Sequence, residues 1–142
     1  MPTYEYDPNI NKNCIQPYIS EGINLKFCCI GTVINLKELC TFFKITYSDT
    51  CDATIFNLLQ HQKFNTINDY ANFIETNFIG SYSIALFYKN DVLLINTYKP
   101  FYFYKDKEGF YFATINIFNE FNTGVLYKTL PYSYYILYGT RM

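Results

Sequence analysis

From Asn24 onward the chain shows first a helical and then a strand-like hydrophobic period, with one strand ahead of both. Leu25 to Ile34 is an apolar, β-favouring run interrupted at Gly31, and it predicts a strand. Asn35 then stands where a helix would be capped, with Glu38 three residues on completing a capping-box spacing. Leu36, Leu39, Phe42 and Phe43 supply the apolar stripe. A second helix is predicted to start around Asp49–Asp52 and to bury Ile55, Phe56, Leu58 and Leu59. A third starts at Thr66 and Asp69 and carries Tyr70, Phe73, Ile74 and Phe78.

After Gly80 the period shortens to two. Ser81–Lys89 and Val92–Tyr98 read as a hairpin turning at Asn90-Asp91, and Phe101–Tyr104 and Phe110–Thr114 as another around Lys105–Gly109. A short helix or turn near Ile117–Phe121 leads to strands at Val125–Thr129 and Ser133–Tyr138. Helices followed by a strand meander predict an α+β layered domain with mainly antiparallel sheets. Within the strands, Phe101 and Phe103 are expected to face the core, and Tyr102 and Tyr104 to sit at its boundary with wet hydroxyls.

No repeat, linker or low-complexity stretch divides the chain. Residues 1–20 hold three of the five prolines and several asparagines and read as a loosely ordered arm. Residues 21–142 read as one domain. Half of the residues are hydrophobic and 16% are charged, enough apolar content to build a core and too little charge for a disordered chain. Tyr and Phe are abundant (16 and 14), Trp is absent, and Arg141 is the only arginine. That bias follows A/T-rich codons and points to a virus, a phage or an AT-rich microbe, with the rings filling a core.

The net charge of −1 and the lack of a basic run exclude a nucleic-acid footprint. No apolar stretch has bilayer-spanning length, and the polar start lacks the order of a secretory signal, so no membrane partner is expected. The five cysteines, Cys14, Cys28, Cys29, Cys40 and Cys51, lack metal-ligand spacing and His61 is the only histidine. No metal or other cofactor is therefore expected, and the thiols read as reduced and buried in a cytoplasmic protein, or a virion if the source is viral. His61 itself, at a helix C-terminus, reads as a surface residue favoured by the dipole.

Five short motifs then carry a resemblance. QPYISEGINLKFCCIGTVINLKEL (residues 16–39) resembles the segment of class II glutamine amidotransferases in which Gln-Pro leads through a strand ending in Asn-Gly to a helix. YSDTCDATIFNLLQ is similar to that family's Ser-Asp-Thr-Glu turn and amphipathic helix. NFIGSYSIALFYKNDVLLINTYKPFYFY resembles its Leu-x-Gly-x-Tyr-Ala strand pair and the strand after it, GFYFATINIFNEF its Phe-Ala-Ser-Glu strand, and LPYSYYILYG its closing strand. The resemblance spans residues 16–139, with the asparagine synthetase and glucosamine-phosphate synthase branches nearest. It implies the fold of the N-terminal-nucleophile hydrolases: two antiparallel sheets stacked between helical layers.

The resemblance also implies a catalytic set that this sequence matches poorly. The family's nucleophile is an N-terminal cysteine, whereas Pro2 follows Met1 here and offers no nucleophilic side chain. The first strands of the family's domain are expected to be missing or rebuilt. Cys14 would serve only after N-terminal processing, as a residual glutamine-binding or glutamine-hydrolysing alternative. The family's carboxylate-clamping arginine has no counterpart ahead of Gly31, and Ile30 stands where the oxyanion-binding asparagine belongs. The acid that receives the glutamine amine is either Asp49, by the Ser-Asp-Thr string, or Asp52, by helix phase. Either also reads as a helix cap or first-turn acid.

The leading expectation is a catalytically inactive amidotransferase-like domain, a pseudoenzyme kept as a structural or protein-interaction module. No residue is assigned a catalytic role, and a degenerate pocket would retain Gly31, Asp49 and Asp52. Two other readings stand beside it, a ligand-binding pseudoenzyme using that pocket and a tautomerase-like enzyme using Pro2 as base. An orphaned sheet edge predicts a protein partner or self-association, with a homodimer ahead of coverage by the arm.

Overall fold

The computed structural model describes residues 16–48, 50–114 and 124–139. In chain order these form β1 (Tyr18–Ser20), a 3-10 turn (Glu21–Ile23), β2 (Leu25–Val33), helices α1 (Leu36–Phe43), α2 (Cys51–Gln62) and α3 (Ile67–Asn77), then β3 (Gly80–Tyr88), β4 (Asp91–Asn96), β5 (Tyr102–Lys105), β6 (Phe110–Ala113), β7 (Val125–Lys128) and β8 (Ser133–Leu137). β1, the last piece of the segment set apart as an arm, pairs with β2. The strands make a five-stranded sheet, β1-β2-β3-β4-β8, and a three-stranded sheet, β6-β5-β7, with every pairing antiparallel.

The pleat of the larger sheet feeds two cores. Leu25, Phe27, Cys29, Ile84, Leu86, Leu93 and Ile95 face the helices and pack with Leu36, Ile55, Leu58, Leu59, Tyr70 and Ile74. Ala85, Val92 and Leu94 face the smaller sheet and meet Phe101 and Phe103, with Cys28, Phe87, Phe110 and Phe112 around them. β3 and β4 are therefore buried on both faces and read as continuous apolar runs. Thr129 pins the layers together: its Oγ1 donates to Asn96 Oδ1 at 2.8 Å and accepts from Phe101 N–H at 2.8 Å.

Helices, large sheet and small sheet form three successive layers, an α+β architecture with antiparallel sheets. Among the described residues no helix covers the outer face of the small sheet. The helix expected near Ile117–Phe121 lies outside the described residues. No helix among them is long and apolar enough to cross a membrane.

One cap matches its sequence signal, for Thr66 Oγ1 accepts from Asp69 N–H at 3.3 Å. Helix α2 is capped by Thr50, whose Oγ1 accepts from Ala53 N–H at 3.3 Å, with Asp52 in its first turn. Three local expectations need correction. Asn35 occupies the N-cap position of α1 without a capping bond. Its Nδ2 donates to Asn77 O at 2.7 Å and its Oδ1 accepts from Ile79 N–H at 3.0 Å, because the end of α3 needs partners too. The β3–β4 turn is Lys89-Asn90, one residue earlier than expected. Asp91 instead pairs with Tyr88, and its carboxylate accepts from Gly139 N–H. Tyr104 is not at the core boundary but fully buried, with Gly124 closed against its ring.

Candidate functional site

The polar residue two positions ahead of β1 is held by β2. Gln16 Oε1 accepts from Cys29 N–H at 2.7 Å, and Gln16 Nε2 donates to Cys29 O at 2.8 Å. A side-chain amide thus replaces one rung of backbone ladder at the start of the sheet. The second Nε2 hydrogen donates to Asp52 Oδ2 at 2.7 Å, and Tyr18 Oη donates to the same oxygen at 3.1 Å. Three of the four hydrogen-bonding positions of the Gln16 amide are filled from within the chain.

Two elements position these groups. Asp52 sits in the first turn of α2, where a carboxylate also meets the positive end of the helix. Tyr18 reaches it by stacking on Phe56, one turn further along α2, at 5.4 Å between ring centroids. Burial pushes the Asp52 carboxyl upward. Hydrogen bonds from Thr50, Gln16, Tyr18 and its own backbone amide outweigh that and hold it below the usual aspartate range.

Cys28 and Cys29, adjacent in β2, point to opposite faces as the pleat requires. Cys28 lies against the smaller sheet, and Cys29 is buried under the helices. Burial is the main cause raising the Cys29 thiol, and Cys51, Asp52 and Cys28 add to it. A thiol held that far above neutrality is not a nucleophile.

Gly31 lies two residues beyond Cys29 on the same face, paired with Tyr82. Its φ is +105°, and a Cβ there would run into the Ser81 carbonyl and lie 2.8 Å from Tyr82 Cα. Backbone geometry alone therefore demands glycine. The Ile30 side chain points to the opposite face from Cys29 and is 40% exposed. Of the two candidate acids, Asp52 is tied into the Gln16 cluster, while Asp49 lies outside the described residues, as do Pro2, Cys14 and Arg141. His61 is exposed on α2, beside an open hollow also lined by Ser20, Ile45, Asn57 and Lys63.

Sequence reasoning missed Gln16 and Tyr18 as the partners of Asp52. Gln16 served there only as a landmark of the Gln-Pro motif. A lone amide ahead of a strand, followed by a buried tyrosine and then an acid in a helix first turn, is the available signal. The 34 and 36 residues separating Asp52 from its two partners hide it.

No family model matches the sequence, and no curated protein matches it. Among solved structures, the glutamine phosphoribosylpyrophosphate amidotransferase of B. subtilis, complexed with ADP and GMP, is similar with a TM-score of 0.72 and 12% identity over 92% of this chain. A structure described as the allosteric regulatory enzyme of purine biosynthesis is similar with a TM-score of 0.57 and 14% identity over 70% of this chain. The chain spans 31% and 24% of the lengths of those two proteins. The chain therefore shares its layered α+β fold with antiparallel sheets, N-terminal-nucleophile-hydrolase-like, with part of these amidotransferase structures. At such identities the likeness establishes the fold alone.

Proposed function

We propose that this chain is a catalytically inactive glutamine amidotransferase-like domain that serves as a structural or protein-interaction module. The observation that carries the reading is the state of Asp52. Its carboxylate, a candidate receiver for a substrate amine, already accepts from Gln16 and Tyr18 of its own chain. Both bonds run to Oδ2, so an amine seeking that oxygen would have to displace bonds to a charged acceptor, each worth about 1.5–3 kcal/mol. Ile30 in place of an amide donor, and a buried Cys29 thiol raised by its surroundings, support the same reading.

The interaction part of the proposal rests on exposed apolar surface. Every residue of β7, an edge strand of the smaller sheet, is exposed, with Val125 at 54% and Tyr127 at 47%. Ile19 on β1, an edge strand of the larger sheet, is 54% exposed. Rows of unpaired backbone and apolar side chains at a sheet edge favour association, and self-association into a homodimer is the form proposed.

The test uses the full chain. Incubated with glutamine, it is expected to release no ammonia, and a glutamine-analogue electrophile is expected to leave its thiols unmodified. Glutaminase turnover abolished by Cys14→Ser would overturn the inactive reading. Sedimentation at micromolar concentration is expected to show a dimer, and a clean monomer would remove self-association from the proposal.

A further inference from the structure

Where α3 ends and the central strands meet the β8 turn, a cavity of about 390 Å³ opens on the helix-facing side of the large sheet. Among the described residues its walls include Glu75, Phe78, Tyr82, Ile95, Thr97 and Tyr132. That volume is at the small-molecule scale, and the mix of apolar walls with a few polar groups is typical of binding sites.

The polar groups are unequal in what they have to do. Thr97 Oγ1 is occupied, donating to Gly80 O at 2.7 Å and accepting from Tyr82 N–H at 3.1 Å. Tyr82 is only 3% exposed, and among the described residues its hydroxyl has no hydrogen-bond partner. The hydroxyl is not among the fully buried unpartnered atoms, so it opens on the cavity, free to bond to whatever occupies it. Glu75, at the rim, has no cation or hydrogen-bond donor among the described residues. Burial, then Glu75 and then Cys29, push the Tyr82 hydroxyl up to about 12, which keeps it neutral at physiological pH. The cavity therefore presents a carboxylate and a neutral hydroxyl, with apolar and aromatic walls beside them.

We propose that this cavity binds a small organic ammonium ion, whose N–H groups donate to the Glu75 carboxylate and the Tyr82 hydroxyl oxygen. The apolar body of the ligand lies between Phe78 and Ile95, and the exposed Tyr132 ring offers its face to the charge. Anions are repelled by Glu75. A neutral hydrocarbon would leave the Tyr82 hydroxyl unpaired in a drier site, which costs about 1–3 kcal/mol. This inference is independent of the amidotransferase-like reading, because neither Gln16, Asp52 nor any described cysteine is among the cavity's lining residues.

The experiment is a titration of the full chain, followed by amide NMR shifts, with phenethylammonium as probe. 2-Phenylethanol and phenylacetate serve as neutral and anionic controls of matched body. Saturable shifts centred on Gly80, Tyr82 and Thr97 are expected, with the ammonium binding at least about tenfold tighter than the alcohol. Glu75→Gln, at an exposed site, is expected to erase that preference, and Tyr82→Phe, which keeps the ring, to weaken the ammonium by about threefold to tenfold. No saturable shift into the millimolar range, equal binding of all three probes, or an ammonium preference unchanged in Glu75→Gln would each overturn the proposal.

Discussion

Two tyrosines on the helix-facing side of the same sheet stand near acids, and they do so in opposite ways. Tyr18 gives its hydroxyl to Asp52 at 3.1 Å, and Gln16 fills the remaining reach of that oxygen. Tyr82 shares a cavity wall with Glu75 and gives its hydroxyl to no described residue. The first cluster is closed: its polar groups answer one another, so it contributes to holding β1 and α2 in place. The second is open, with its requirements unmet by the chain. Satisfied polar clusters stabilise, and unsatisfied ones next to a cavity are where a ligand gains most. Resemblance to an enzyme would direct attention to the closed cluster, and hydrogen-bond accounting directs it to the open one.

Gly31 joins the two regions, two residues from Cys29 and paired with Tyr82, so Gly31→Ala would disturb both at once. The added methyl meets β3 backbone in a left-handed conformation, and a loss of at least about 3 kcal/mol is expected, measured by chemical denaturation. A loss under about 1 kcal/mol would show that β2 and β3 part more easily than their register implies.

Asp52→Ala comes next. It strands the Gln16 amide and the Tyr18 hydroxyl, and a loss of about 2–3 kcal/mol is expected at neutral pH. The same carboxylate sets a pH dependence. Its folded pKa is depressed, so its contribution is complete above the unfolded aspartate value of about 4 and fades as pH falls through the lower folded value. The stability gap between the native chain and Asp52→Asn is expected to narrow on acidification below pH about 4. A gap that stays constant there would contradict the depressed pKa.

The smallest effects separate the tyrosines directly. Tyr18→Phe is expected to cost about 1–2 kcal/mol, while Tyr82→Phe is expected to stay within about 0.5 kcal/mol of the native chain. Equal costs for both would mean that the Tyr82 hydroxyl is paired in solution and the contrast false.

The elements themselves were legible where the deciding interactions are local. Thr66 announces its helix because the cap and the amide it accepts from lie three residues apart. The start of α2 within Asp49–Asp52 was readable, though its cap, Thr50, was not. The Lys105–Gly109 loop is readable because Asp106 folds back on the amides of Glu108 and Gly109. Asn35 defeated the same logic, since its side chain has two suitors and the distant one prevails. Tyr104 was misplaced because alternation sorts residues by face and says nothing about what lies on the outer side. The candidate site was the least legible part. Gly31 and Asp52 could be named, yet the partners of Asp52 come from a strand more than thirty residues earlier, and Tyr82 looked like one ring among many.

The Asn35 clamp carries a last consequence, for how the molecule breathes. No side chain caps the first turn of α1, while Lys44 closes its far end with bonds to Cys40 and Thr41 carbonyls. The Ile79 amide, by contrast, is held by a side chain 44 residues away. Deuterium should therefore enter α1 from its beginning, by fraying, before it reaches Ile79, whose release requires the Asn35 side chain to let go. A residue that caps the wrong helix in a local sense thereby ties the α3–β3 junction to the start of α1.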